Sequence, residues 1–215
     1  MEELKFGPPI SITTIDNQLR LDLLSDGLVQ KQDARDTLAG HLEDEKAYSK
    51  FLVEKFKINI LEYVTQYINN IKLDRKIDNE SCKLFLNSLW INRQKAGEHN
   101  PPHNHSNGQI SFVIYLDVPN EIKKEIPFSK SSCSPGSISF FYGSDTHVES
   151  NNEYNFPHRL LSPINVIEHT PSSGEMIIFP SYLIHYVSPF YTNNIERVSV
   201  SGNVSIIGTN NKSIL

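Results

Sequence analysis

The chain is poor in the residues that staple small folds or cross membranes. Its 215 residues include two cysteines, Cys82 and Cys133, two methionines and a single tryptophan. Two thiols without a Cys-x-x-Cys pair exclude a disulfide framework and a cysteine-ligated zinc ribbon, and they fit a reducing compartment. No apolar run approaches the ~18 residues that a membrane span requires. Positive charge is also scarce. Lys and Arg number 20 against 25 Asp and Glu, a net charge of -5, which argues against non-specific nucleic-acid binding. The opening "MEELKFGPPI" has no basic stretch followed by an apolar core, so no secretory signal is expected and the cytoplasm is the expected compartment. Internal repeats and low-complexity blocks are absent from the sequence.

What is present divides into two textures. Residues 1–80 are expected to form a helical segment packing on a core. Leu19, Leu23 and Leu24 suggest a short helix with Asp16 or Asn17 as its N-cap. Tyr48, Leu52, Phe56, Ile60, Tyr63, Tyr67 and Ile71 recur at three- and four-residue spacing, the stripe of a long amphipathic helix. Residues 81–215 change to short β-like runs between turn signals. "KLFLNSLWIN", "QISFVIYLDV", "GSISFFYG", "INVIEH", "GEMIIF", "LIHYV" and "RVSVSGNVSII" each read as strands. Such a series predicts a mainly β fold, a sandwich or barrel, with the N-terminal helices buttressing one sheet. The two stretches together are expected to make one structural unit. The polar stretch from Gly143 to Pro163 is long for a structureless connection and reads as a lid or a mobile loop.

Chemistry concentrates in "GEHNPPHNHSNGQISFVIYL". On extended backbone, His103 and His105 point to one side and can meet one metal ion. Pro101 and Pro102 stiffen the approach. Far downstream, His185 follows an apolar strand ending in Phe179-Pro180. Arg197 then opens a strand on which Arg197, Ser199 and Ser201 share one face and Val198, Val200 and Val204 the other. An inward Arg needs a carboxylate or phosphate partner, because it stays charged and its unpaired burial costs several kcal/mol. An internal salt bridge would serve equally.

The order of these elements resembles the Fe(II)- and 2-oxoglutarate-dependent oxygenases, in particular a phage and bacterial branch similar to prolyl hydroxylases. The matching pieces are Trp90-Ile91-Asn92, His103-Asn104-His105, Ser111 to Leu116, Gly174 to Pro180, His185, and Arg197-Val198-Ser199, covering roughly residues 84 to 206. The resemblance implies a double-stranded β-helix, or jelly-roll. It implies iron on His103 and His185. Most relatives carry Asp or Glu where this chain has His105, so either His105 is the third ligand or a carboxylate such as Asp145 replaces it. A halide-binding variant of the site would need Ala or Gly at that position. Arg197 would hold the distal carboxylate of 2-oxoglutarate, with Ser199 and Tyr115 adding hydrogen bonds. Asn92 and Asn203 also match family positions, Asn92 on the cofactor side. His99 is placed on the substrate side or the surface.

The implied reaction uses 2-oxoglutarate and O2 as cosubstrates, with ascorbate as a candidate reductant. It releases succinate and CO2 and hydroxylates an organic substrate, a protein or peptide side chain being favoured. A monomer or homodimer in the cytoplasm, of a host cell if phage-encoded, is expected, with no membrane partner. Two other readings stand beside it. A cupin would turn over without 2-oxoglutarate but would want a glutamate near Gln109 or Ile110. A non-catalytic jelly-roll binding module would hold no metal.

Overall fold

The computed structural model describes residues 7–77, 82–125, 133–143 and 165–208. Ten strands are present: β1 (Ser11–Thr14), β2 (Asp44–Ala47), β3 (Cys82–Gln94), β4 (Asn100–His103), β5 (Ile110–Asp117), β6 (Ile138–Phe141), β7 (Val166–His169), β8 (Glu175–Pro180), β9 (Ile184–Val187) and β10 (Arg197–Gly208). Three α-helices accompany them: α1 (Asn17–Leu28), α2 (Lys50–Arg75) and the single turn α3 (Asn120–Lys123). All strand pairs are antiparallel. They form a six-stranded sheet, ordered β1-β8-β5-β10-β3-β2, and a four-stranded sheet, ordered β4-β9-β6-β7. This is the expected jelly-roll with helices against one sheet.

Alternation along the strands sorts the residues into layers. Even positions of β5 and β8, such as Phe112, Ile114, Met176 and Ile178, join Val198, Val200 and Val204 under the helices. Odd positions, such as Val113, Tyr115, Ile177 and Phe179, turn inward between the sheets and pack against Ile138, Phe140 and Val187. The polar members of β10, Arg197, Ser199 and Asn203, are buried on that same inner face. A β-bulge where Asn203 pairs with Ser88 and Val204 with Leu86 leaves Asn87 as the extra residue. It resets the phase of β3, so that Leu86 and Leu89 both reach the helical side while Trp90 and Asn92 turn inward.

The helices follow their sequence signals. Asp16 caps α1, its carboxylate accepting from the Gln18 and Leu19 backbone N–H groups at 2.9 and 3.0 Å. α2 begins after Ser49, so Tyr48 of the expected stripe lies just ahead of the helix and instead donates its hydroxyl to the Leu23 carbonyl. Phe56, Ile60, Val64, Tyr67 and Ile68 form its buried face. The helix ends where Lys76 enters the left-handed region at φ 54, with Lys72 and Arg75 in the last turn against the negative end of the dipole. No helix among the described residues is long and apolar enough to cross a membrane.

The N-terminal stretch does more than supply helices. β1 pairs with β8 and β2 pairs with β3, so it provides both outer strands of the six-stranded sheet. Neither strand, nor β4 with its two prolines, carries an apolar alternation. Edge pairing is decided by the neighbouring strand, and β4 tolerates Pro101 and Pro102 because it lies at the edge of its sheet.

Candidate active site

The second sheet brings the histidines together. β4 ends at His103, whose direct cross-strand partner on β9 is His185. His105 follows two residues on, its backbone N–H held by the Ser181 carbonyl at 2.9 Å. Nitrogen atoms of His103, His105 and His185 all lie within 4.8 Å of one another. Two rings are oriented by local backbone. The Nδ1–H of His103 donates to the Pro101 carbonyl at 2.7 Å, and that of His185 to the Leu183 carbonyl at 3.0 Å. Both therefore present the Nε2 lone pair to the shared centre, as a metal ligand must.

Electrostatics reinforce this state. Burial lowers the pKa of all three rings, to about 4 for His105 and about 3 for His185, with the charge of His103 as a further cause at both. Three neutral imidazoles converging on one point are a donor set for a first-row divalent ion. Ligation at ~2.1 Å on one face of such an ion puts nitrogens about 3 Å apart, close to the 3.3 Å between His105 Nε2 and His185 Nε2. No aspartate or glutamate joins the cluster among the described residues. Asp145, the alternative carboxylate, and most of the 143–163 stretch lie outside those residues.

A cavity of about 450 Å3 opens on the triad and runs along the inner face of the six-stranded sheet. Arg197 lies in its wall and is 4% exposed. Its Nη1 donates to the Gly136 carbonyl at 2.5 Å, and its guanidinium carbon stands 5.4 Å from the centre of the Tyr115 ring. No salt bridge to Arg197 is found among the described residues, so the internal ion pair weighed from the sequence is not what holds it there. Its Nε and the Tyr115 hydroxyl are both buried without a hydrogen-bond partner. Burial raises the Tyr115 pKa to about 12, so the phenol stays a donor. Two orphaned donors beside a buried cation fit a carboxylate, the group that 2-oxoglutarate would offer.

The other expected residues sort as follows. Ser199 borders Arg197 on the inner face, and its hydroxyl lies 3.5 Å from the Asn92 Nδ2. Asn92 also donates to Ser201 at 3.2 Å, while its Oδ1 is unpaired. Asn203 accepts from the Ser111 hydroxyl, which in turn meets Ser181, each at 2.8 Å, tying β10 and β5 to the turn after β8. His99 stands apart from the triad, stacked on His41 at 5.0 Å. Gln109, near the position where a cupin would want its glutamate, accepts from the Ile206 backbone and is no part of the cluster.

Sequence reasoning missed one whole wall. Ala34, Leu38, Leu42 and Glu45, all from the N-terminal stretch, line the same cavity. Glu45 sits in "DEKA", a charged run with no apolar signal to betray burial, yet it is 0% exposed.

No curated protein sequence matches the chain. A family model described as "Putative 2OG-Fe(II) oxygenase" matches residues 88–203, the span that carries the three histidines and Arg197. Among solved structures, the viral collagen prolyl hydroxylase of Paramecium bursaria Chlorella virus-1 in complex with 2OG is 12% identical, with a TM-score of 0.52 over 91% of this chain and 94% of that one. The non-heme alpha-ketoglutarate-dependent epimerase SnoN from nogalamycin biosynthesis is 15% identical, with a TM-score of 0.50 over 91% and 77%. These likenesses show the shared jelly-roll. With the match spanning more than half its length, the chain belongs to the 2OG-Fe(II) oxygenase family and is an oxygenase dependent on Fe(II) and 2-oxoglutarate.

Proposed function

We propose that the protein hydroxylates an organic substrate, with a peptide or protein side chain as the favoured class, and releases succinate and CO2. In this reading His103, His105 and His185 hold the iron. Arg197, with Ser199 and the Tyr115 hydroxyl, takes the distal carboxylate of 2-oxoglutarate, and Asn92 borders the cosubstrate. Bound iron would supply dioxygen activation coupled to 2-oxoglutarate decarboxylation. The protein's own part is to fix three neutral imidazoles, to pair the distal carboxylate of the dianion with one buried guanidinium, and to keep water from the cavity.

The observation that carries the reading is the pair of orphaned donors, Arg197 Nε and Tyr115 Oη, in a cavity that also holds the histidine triad. Peptide as substrate class draws on the likeness to the viral collagen prolyl hydroxylase. The free thiols of Cys82 and Cys133 fit the cytoplasm as its compartment. β1 and β2 at the two edges of one sheet support treating residues 1–80 and 81–215 as one structural unit.

Incubation with Fe(II), ascorbate, 2-oxoglutarate and a peptide library tests it. Succinate should appear in step with a 16-dalton gain on a peptide. Tight Fe(II) binding without any 2-oxoglutarate binding would overturn the reading.

A further inference from the structure

The buried polar atoms of the cavity that lack partners fall into two groups. Arg197 Nε and the Tyr115 hydroxyl are donors. Asn92 Oδ1 and both carboxyl oxygens of Glu45 are acceptors. 2-Oxoglutarate, a dianion, satisfies the donors. It leaves the acceptors unanswered, and a second carboxylate beside them would only repel.

Register sets Glu45 apart from the donors, with Asn92 between. Tyr115 pairs with Ser199, Ser199 with Asn92, and Asn92 with Glu45, so the four form one row across β5, β10, β3 and β2. Neighbouring strands lie ~4.8 Å apart, which puts Glu45 about 10 Å from Ser199 and about 14 Å from Tyr115 along the row. Glu45 is therefore beyond the reach of a cosubstrate held by Arg197. No cation among the described residues forms an ion pair or hydrogen bond with it: Arg35, whose charge reaches it, is itself paired with Asp33. Ala34, Leu38 and Leu42 line the wall beside it, and Gly40 lies over the carboxyl so closely that an added Cβ would stand 2.7 Å from Oε1. A buried carboxyl without a hydrogen-bond partner carries an uncompensated desolvation cost. No hydrogen bond from the described residues offsets that cost.

We propose that Glu45 is the recognition group for the primary substrate and that the substrate brings to it a cationic nitrogen group, an alkylammonium or guanidinium. This rests on the oxygenase reading for where the substrate must otherwise reach. Trp90 supplies the path. It lies on the inner face of β3 two residues from Asn92, and its ring centre is 5.9 Å from that of His105. An aliphatic stem laid on the indole spans from Glu45 towards the triad, which sets the C–H that is oxidised at a fixed distance from the nitrogen. The indole face also attracts a cation. A basic peptide side chain and a free amine share this chemistry.

Trp90 is the single tryptophan, so its fluorescence reads the cavity. The Fe(II)- and 2-oxoglutarate-loaded protein, kept anaerobic, is titrated with n-butylammonium and n-butylguanidinium chloride, with n-butanol and butyrate as controls at equal ionic strength. The cations should give a saturable change and the controls none. Glu45→Gln should raise half-saturation at least tenfold without lowering the melting temperature, since it replaces an unpaired carboxyl with a neutral isostere. A merely structural glutamate would lower it. Should Glu45→Gln fail to fold, Glu45→Asp, which keeps the charge but shortens its reach, should weaken the cations selectively. Equal responses to butanol, or a Glu45→Gln response like that of the wild type, would overturn the proposal. Calorimetry of 2-oxoglutarate in the same samples separates the two readings. Cosubstrate binding without a cation response sinks the Glu45 site alone, and a Glu45-dependent cation response without cosubstrate binding sinks the oxygenase assignment alone. Acetyl-Gly-Lys-Gly-amide and acetyl-Gly-Arg-Gly-amide then distinguish the sources: tighter binding than the butyl probes assigns a protein substrate, equal binding a small amine.

Discussion

The Nε2 atoms of His105 and His185 lie 3.3 Å apart, on rings whose burial keeps both neutral. Only a shared proton or a shared cation makes that approach favourable, and the Nε2 of His103 faces the same point. His105→Ala should therefore weaken Fe(II) or Ni(II) binding at least tenfold by calorimetry. His105→Asp, which restores the acid found in most relatives, should retain binding. Saturating metal at about a hundred times its Kd should raise stability by ~2.7 kcal/mol in the wild type, read as a shift in the urea midpoint.

Arg197→Ala should raise the Kd for 2-oxoglutarate about 100-fold, an effect of ~2.7 kcal/mol, within the range for truncating one partner of a buried charge pair. Arg197→Lys should not restore it, because an ammonium cannot present the planar fork. Calorimetric titration of the metal-loaded variants checks both.

Tyr115→Phe separates binding from folding. Its hydroxyl has no partner among the described residues, so its removal should leave the melting temperature of the unliganded protein unchanged or higher. 2-Oxoglutarate affinity should fall about fivefold, the worth of one hydrogen bond of ~1 kcal/mol.

Glu45 gives stability a pH dependence with an unusual sign. Burial, then the charges of Glu98 and Asp33, raises its carboxyl from 4.5 to about 7, while Arg35 opposes the shift in part. Between those values the folded state keeps a proton that the unfolded state has released. The unfolded state thus binds fewer protons, and stability falls as pH rises from 4.5 through 7, then levels. Urea midpoints across that window should show the decline in the wild type and a smaller one in Glu45→Gln.

Gly202 on β10 is a close-approach glycine. A Cβ there would stand 2.5 Å from the Phe112 ring and 2.7 Å from the Ser88 carbonyl oxygen. Gly202→Ala should cost about 1–3 kcal/mol of stability by chemical denaturation.

Strands and helices were legible where period and burial coincide. All seven β-like runs are strands, and six of them have a buried face that writes apolar residues into the sequence; β7 is exposed along most of its length and is held by pairing with β6. The α2 stripe and the Asp16 cap were readable for the same reason, local physics agreeing with packing. β1, β2 and β4 were not. They are short and pair at sheet edges, so hydrogen bonding to a neighbour, rather than apolar content, makes them strands. The histidine spacing predicted convergence of His103 and His105, and the structure adds His185 as the direct partner of His103. Glu45 left no trace, since a charged residue in a charged run reads as surface until a sheet edge folds it inward.

The placement of β2 has an evolutionary consequence. In the proposed reading iron and cosubstrate are served by residues between Asn92 and Ser199, whereas the far cavity wall comes from residues 34–47. The reaction and the choice of what it acts on are thus written in separate stretches of one polypeptide. Exchanging a short N-terminal cassette could redirect such an enzyme to a new target while its oxidative engine stays untouched.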